Sequence, residues 1–126
     1  MSIKVEVDGE RGLITRTIEG ETSLEELIES IEAVIAHPDF RPGMKSLTDL
    51  RDAAPVKNPD DVKKLVKTLA SHNSTIAGVK VAVVTPEAVA FGMMRMVQAY
   101  AGKTEAEVGV FYEMSKAREW LGLDDG

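Results

Sequence analysis

The chain has 126 residues, a mass of 13.7 kDa, 44% hydrophobic residues and a net charge of −6. This length and composition predict one globular domain spanning 1–126. An acidic surface repels the phosphates of nucleic acids and of anionic bilayers, so neither is an expected partner. The absence of cysteine excludes disulfides, thiolate metal sites and cysteine nucleophiles. Neither a signal-peptide pattern nor a membrane-spanning apolar run occurs, so we expect a cytoplasmic protein without a membrane span.

The chain begins with a predicted β-hairpin, which an amphipathic helix follows. Ile3–Val7 alternates apolar and charged residues, Leu13–Ile18 is rich in β-branched residues, and turn residues separate the two. Ser23 and Glu26 have the spacing of a capping box, and an apolar stripe follows at three- and four-residue intervals. We therefore predict a helix that begins after Ser23 and ends before Pro38.

The rest of the chain alternates between strands and helices. Val79–Val84 is the clearest strand, because its near-continuous valines are typical of a parallel strand that is buried on both sides. The other predicted elements are a weak strand at Lys45–Arg51, a helix opened by Pro59, a helix from Thr85 or Pro86 to about Ala101, a strand at Val108–Tyr112 and a short helix that Ser115 caps and Gly122 ends. The order β-β-α-β-α-β-α-β-α indicates an α/β fold with a mixed five-stranded sheet and about four helices.

A polar cluster lies near the end of a predicted strand and consists of Asp49, Arg51 and Asp52. Ligands bind at the carboxyl ends of strands in open α/β sheets, and Thr85 follows the strand that ends at Val84. If the two strands are neighbours, Arg51 can hold an anion while Asp52 accepts hydrogen bonds. We take Asp49, Arg51, Asp52 and Thr85 as the candidate ligand-binding residues. The alternative is a structural ion pair with a loop-stabilising aspartate.

The helix predicted after Val84 carries five large apolar side chains within ten residues: Phe91, Met93, Met94, Met96 and Tyr100. Methionine fills irregular gaps and makes adaptable binding surfaces. One buried stripe does not need so many large side chains. We therefore expect some of them to form a partner or dimer surface, or to line an apolar pocket. Packing into the core is the simpler alternative.

Sequence motifs for catalysis and metal binding are missing. The chain has neither a Gly-rich phosphate loop nor a Gly-x-Ser-x-Gly nucleophile elbow. His37 and His72 each stand alone near the end of a predicted helix, which favours a structural role over metal ligation or base catalysis. Asn73–Thr75 is predicted as a turn between a helix and a strand. We predict no metal and no cofactor.

Several segments, taken in order, follow the pattern of a known family. They are His37–Met44 with Leu47–Ala53, then Val81–Pro86 with Phe91–Met93 and Met96–Tyr100, and finally Val110 and Phe111 with Ala117 and Trp120–Gly122. This ordered set resembles the SpoIIAA-like branch of the STAS-domain superfamily over nearly the whole chain. The resemblance implies a mixed sheet with helices largely on one side, similar in shape to the CRAL-TRIO lipid-carrier fold.

The resemblance also implies a class of function. STAS proteins of the anti-sigma factor antagonist type bind partner kinases, and phosphorylation of a serine at the start of the helix after the third strand switches them. In this chain the region reads Arg51-Asp52-Ala53-Ala54-Pro55, without that serine. We therefore expect a non-enzymatic regulatory or protein-interaction module of STAS type that lacks this phospho-switch. Its partner is expected to be another protein or a second copy in a homodimer.

Two alternatives to the interaction module stay open. The first is a carrier or sensor of a small apolar or amphipathic ligand, bound between the sheet and the helices with Arg51 or Thr85 near an acidic head group. The second is an enzyme in which Asp49, Asp52 and a histidine perform acid–base work.

Overall fold

The computed structural model describes residues 2–54, 58–100 and 104–123. These residues form ten elements: β1 Ser2–Asp8, β2 Leu13–Gly20, α1 Leu24–Ile35, β3 Lys45–Ala53, α2 Pro59–Ala70, α3 Asn73–Ile76, β4 Lys80–Val84, α4 Glu87–Tyr100, β5 Glu107–Phe111 and α5 Met114–Leu121. The predicted order of strands and helices is confirmed, with one addition. The added element is α3, a single turn of helix where the sequence predicts a simple turn.

The five strands form one mixed sheet in the order β1-β2-β3-β4-β5. β1 pairs antiparallel with β2, and the three following pairs are parallel. Each parallel connection adds a strand at the same edge, and such connections are right-handed, so their helices must all lie on one face. We call this the crossover face; α1, α2 and α4 cover it. The last helix, α5, packs on the opposite face, which we call the α5 face.

Side-chain alternation assigns residues of the central strands to these two faces. Leu47 of β3 packs with Ala82 and Val84 of β4 against α5. Thr48, which follows Leu47, and Val83, which lies between Ala82 and Val84, therefore point to the crossover face. Both line the cavity described below. The odd-numbered residues in the first part of β3 therefore face α5, and so do the even-numbered residues of β4.

The α5 face has a closely packed core. Its buried members are Leu47, Ala82, Val84, Ala117 and Leu121, with Phe111, Met114, Trp120 and Leu123 packed around them. The rings of Phe111 and Trp120 lie 5.5 Å apart between centroids. Lys80 Nζ lies 4.2 Å from the centroid of the Trp120 ring and donates a hydrogen bond of 3.0 Å to the Trp120 carbonyl oxygen.

The crossover face is well packed at the amino ends of the parallel strands. One buried cluster joins Ile14, Val34 and Met44, and another joins Ile76, Val79 and Ala106. Met44, Val79 and Ala106 each precede a strand, which places these clusters at one end of the sheet. Nearer the carboxyl ends, a cavity separates the sheet from α1 and α2.

Local signals at the helix ends are borne out at Ser23, Pro59 and Gly122 and wrong at Ser115. The Ser23 side chain accepts the Glu26 N–H at 3.1 Å, and the Glu26 carboxylate accepts the Ser23 N–H, which confirms the capping box. Gly122 ends α5 with a left-handed φ of 74°, as predicted. Ser115 does not cap α5, because that helix begins at Met114 with Glu113 at the cap position. The end predicted for α4, at Ala101, lies outside the described residues.

Candidate ligand-binding cavity

A cavity of about 630 Å³ lies between the crossover face of the sheet and the inner sides of α1 and α2. This volume is within the range of about 300–1,000 Å³ that small-molecule sites occupy. Most of its wall is aliphatic: Ile18, Leu24, Leu27, Ile31, Leu50, Val62, Leu65, Val66, Leu69, Val81, Val83 and Val108. Several of these side chains, among them Leu27 and Leu65, are only half-buried because they face the cavity instead of a packed neighbour.

The rim of the cavity is made by the segments that follow three parallel strands. These are Glu21–Ser23 after β2, Ala54 and Asn58 after β3, and Thr85 with Pro86 after β4. The carboxyl ends of parallel strands are the edge at which open α/β sheets bind ligands. The predicted ligand-binding residue Thr85 therefore lies on the cavity wall, where it is only 2% exposed.

Among the described residues, one guanidinium group lies on the sheet side of this apolar wall. Arg16 projects from the middle of β2 between Ile14 and Ile18, and its Nη2 donates a hydrogen bond of 2.6 Å to Ser30 Oγ on α1. Arg16 Nε is inaccessible to solvent and has no hydrogen-bond partner among the described residues. Burial lowers the pKa of Arg16 to about 10, with no opposing contribution from a carboxylate. At neutral pH the cavity therefore contains a desolvated, positively charged group.

Two hydroxyl groups of the wall are also buried without a partner among the described residues: Thr48 Oγ1 and Thr22 Oγ1. Thr48 on β3 stands directly beside Arg16 in the strand register, so the two side chains are neighbours on the crossover face. Buried polar atoms in native proteins are nearly always hydrogen-bonded. Arg16, Thr48 and Thr22, the three residues that carry such atoms, all line the same cavity.

Three of the four predicted ligand residues lie elsewhere. Asp49 and Arg51 share the α5-face side of β3 and bind each other, with Nη2 of Arg51 2.9 Å from Asp49 Oδ2 and its Nε 3.0 Å from Oδ1. The hydrogen bonds from Arg51 lower the pKa of Asp49, and the bonds to Asp49 raise the pKa of Arg51. Asp52 is exposed, and none of these three residues lines the cavity. Their role in binding stays a prediction.

Arg16, the arginine among the described lining residues of the cavity, was not one of the predicted site residues. A usable signal exists in the sequence: Ile14, Arg16 and Ile18 occupy alternate positions of β2 and must share a face. A charged residue between two buried isoleucines on the inner side of a strand is rare unless it is paired. Period-two alternation alone could therefore have marked Arg16 for attention.

The methionine-rich helix can be described only in part. Met94 is 37% exposed and Met96 is half-buried. The side chains of Phe91, Met93 and Tyr100 lie outside the described residues. A partner or dimer surface on α4 therefore stays a prediction.

The two histidines, His37 and His72, each lie beside a helix end. His37 Nδ1 accepts the Asp39 N–H at 3.0 Å in the turn after α1, and His72 stands at the cap position of α3. Within the described ranges, no group of three or more His, Asp or Glu side chains is arranged to hold a metal ion. No helix found in those ranges is long and apolar enough to cross a bilayer.

Comparison with known proteins identifies the fold. No protein-family model and no curated protein matches the sequence. A crystal structure of an uncharacterized protein from the DUF3478 family, from Shewanella loihica PV-4, is described as having a SpoIIAA-like fold. It superposes with a TM-score of 0.57 at 19% sequence identity, over 95% of this chain and 92% of that one. The chain has a SpoIIAA-like fold. The fold implied by the sequence resemblance is thus confirmed, and within this SpoIIAA-like fold the cavity lies between the sheet and its crossover helices.

Proposed function

We propose that this protein is a non-enzymatic carrier or sensor of a small amphipathic molecule, which binds in the cavity between the sheet and helices α1 and α2. The observation that carries the proposal is an aliphatic cavity of about 630 Å³ that contains a desolvated guanidinium group. An apolar wall with a few convergent polar groups is the usual composition of a small-molecule site. Of the readings left open by the sequence, the ligand carrier fits this geometry best.

The energetic argument has two parts. Aliphatic side chains that face water across an open cavity gain free energy when a hydrocarbon chain replaces that water. Arg16 Nε and Thr48 Oγ1 are buried without partners among the described residues, so they gain from a ligand oxygen. An amphipathic molecule satisfies both requirements at once, whereas a purely apolar molecule leaves the polar atoms unsatisfied.

Two measurements test this proposal. Native mass spectrometry of the gently purified protein is expected to show a bound small molecule. N-phenyl-1-naphthylamine, a neutral dye that fluoresces in apolar surroundings, is expected to bind and to brighten. Leu65→Trp enlarges a half-buried side chain of the cavity wall and should abolish dye binding. Leu123→Trp makes the same change beside the α5-face core and should leave it intact.

The results that would contradict a carrier role are equally definite. Protein that is always bare in native mass spectrometry and binds the dye weakly has no functional cavity. Equal dye binding by the two tryptophan variants would mean that the dye lies elsewhere on the surface.

A second candidate is the regulatory interaction module, and the exposure of Met94 on α4 favours it. In this reading a protein partner, or a second copy of the chain, covers the methionine-rich side of α4, and the missing phospho-acceptor serine excludes control by phosphorylation at that position. Met94→Glu is expected to weaken self-association measured by light scattering while the unfolding midpoint stays unchanged. Loss of folding instead would identify the helix as core.

A further inference from the structure

We propose that the ligand is a single-chain amphiphile with a carboxylate head group, which lies against Arg16 and Thr48 while its hydrocarbon chain extends toward the rim of the cavity. This inference rests on the proposed carrier function and assigns the class and orientation of the ligand. It depends on three observations: the isolated charge of Arg16, the register of β2 against β3, and the position of the acidic residues that line the cavity.

The charge of the cavity wall favours one negative charge on the ligand. Arg16 is its guanidinium, and burial alone accounts for the lowered pKa of that group. A buried charge is costly until an opposite charge pairs with it. One carboxylate neutralises one guanidinium, whereas a phosphate dianion would leave an unbalanced negative charge in an apolar site. The part of the wall around Arg16, away from Glu21 and Asp61 at other positions of the lining, therefore matches a monoanion.

The pairing of β2 with β3 places two hydrogen-bond donors without partners among the described residues on neighbouring strands. Arg16 and Thr48 are direct neighbours on adjacent strands, about 4.8 Å apart between backbones. Arg16 Nε and the Thr48 hydroxyl are both buried and without a partner among the described residues. The two oxygens of a carboxylate can accept from both donors, and hydrogen bonds between charged groups are among the strongest in proteins.

Ser30 acts as the positioning residue for Arg16. Its hydroxyl donates to the Leu27 carbonyl oxygen at 2.8 Å, so the lone pairs of Ser30 Oγ face the guanidinium. Arg16 Nη2 then donates to Ser30 Oγ at 2.6 Å. These two bonds tie the guanidinium to α1 and hold it in a fixed orientation. Neither bond uses Arg16 Nε.

The acidic residues of the cavity determine the orientation of the chain. Glu21 and Asp61 both line it, Glu21 in the segment after β2 and Asp61 in the first turn of α2. Arg16 lies four residues before Gly20, the last residue of β2, which is about 13 Å along an extended strand. An anionic head group at the rim would meet Glu21, whereas at Arg16 it meets a cation. The head group therefore points inward.

Calorimetric titration of the full chain with three probes tests the inference: decanoate, 1-decanol and decyl phosphate. Decanoate is expected to bind at least about tenfold more tightly than 1-decanol, the difference that a charge-assisted hydrogen bond supplies. Decyl phosphate should bind more weakly than decanoate. Arg16→Met should remove the preference for decanoate and leave 1-decanol within about threefold of its original affinity, because it keeps the length of the side chain and removes its charge.

Two further variants separate the head-group site from general damage. Thr48→Val keeps the shape of the side chain and should weaken decanoate binding by about three- to tenfold without affecting 1-decanol. Arg51→Met removes the surface arginine on the other face and should change neither affinity. Thr48→Val also keeps the inference testable if Arg16→Met fails to fold.

The outcomes distinguish this inference from the carrier function. Equal binding of decanoate and 1-decanol, with no effect of Arg16→Met, would overturn the head-group assignment and leave the carrier function standing. Loss of decanoate binding in Arg51→Met instead would place the head group at the residue favoured by the sequence. Tighter binding of decyl phosphate than of decanoate would overturn the assignment of a single negative charge to the head group. Failure of every probe, together with failure of the neutral dye, would overturn the carrier function itself.

Discussion

Arg16 and Arg51 lie on neighbouring strands but on opposite faces of the sheet, and their surroundings differ in every respect that matters for charge. Arg51 is 48% exposed, forms a bidentate pair with Asp49 and has a raised pKa. Arg16 lines a largely apolar cavity, has no carboxylate partner among the residues that the structure describes and has a pKa lowered by burial. A paired arginine in water contributes to local structure, whereas a desolvated arginine without a carboxylate partner among the described residues is a candidate for a binding role.

The same contrast extends to packing. The α5 face joins Leu47, Ala82, Val84, Ala117 and Leu121 in one buried cluster. The crossover face is packed toward the amino ends of the parallel strands and beneath α4, and is open between the carboxyl ends of the strands and helices α1 and α2. The closely packed core and the proposed binding site thus lie on opposite faces of the sheet. The following predictions test that separation, beginning with the largest expected effect.

Truncation of a leucine should cost far more on the α5 face than at the cavity. Leu121 is 2% exposed within the buried cluster, so Leu121→Ala is expected to lower the free energy of unfolding by about 2–5 kcal/mol. Leu65 already faces the cavity, so Leu65→Ala should cost less than about 2 kcal/mol because it creates little new empty space. Urea unfolding followed by circular dichroism measures both. Equal losses would mean that the cavity side is as closely packed as the α5 face.

Removal of the buried charge should stabilise the ligand-free protein. Arg16→Met is expected to raise the free energy of unfolding by about 1–4 kcal/mol, because a desolvated charge that has no carboxylate partner among the described residues is replaced by an apolar side chain. The unfolded chain binds the Arg16 proton more tightly than the folded chain does. The buried charge therefore lowers the free energy of unfolding by its full amount at neutral pH. This destabilisation disappears only as the pH rises above about 10, where Arg16 loses its proton in the folded chain.

The same substitution of the arginine on the α5 face, Arg51, should lower the free energy of unfolding instead of raising it. Arg51→Met is expected to lower the free energy of unfolding by less than about 1 kcal/mol, because it breaks an exposed ion pair. If Arg16→Met proves as destabilising as a core truncation, Arg16 is a structural residue and not a ligand-binding one.

The helix ends supply a third contrast. Ser23→Ala removes the capping box of α1, which lines the cavity, and should cost about 1 kcal/mol in urea unfolding. Ser115→Ala serves as the control, because Ser115 is exposed inside the first turn of α5 and should change stability by less than about 0.5 kcal/mol. Equal effects would show that α1 depends on packing as much as α5 does.

The smallest expected effect concerns the surface ion pair and its dependence on pH. Asp49→Asn should lower the free energy of unfolding by about 0.2–1 kcal/mol at neutral pH. Because Arg51 lowers the pKa of Asp49 in the folded chain, this contribution is present above the ordinary value of 3.8 and is lost as the pH falls through the lowered one. Unfolding of both proteins in strong acid should therefore give equal stabilities. A difference that persists there would have a cause other than charge.

Much of the fold follows from local patterns in the sequence. The Ser23–Glu26 capping box and the valines of β4 identify their elements correctly, and Gly122 ends α5 as predicted. The cap of α5 was predicted wrongly, because Ser115 is a good capping residue by type but the chain enters the helix two residues earlier. Residue preference at a helix end is a local signal, which the packing of a helix such as α5 against the sheet, here through Ala117 and Leu121, can override.

The sequence by itself determined the order of the elements, the α/β class and the acidic charge, because hydrophobic period, capping residues and composition are local properties of the chain. Only the tertiary structure decided which face of β3 each polar residue occupies, that Thr48 stands beside Arg16, and that α1 and α2 enclose a cavity. These features arise from strand pairing and from the distance between helix and sheet. Both depend on contacts between segments far apart in the chain, which a local pattern does not record.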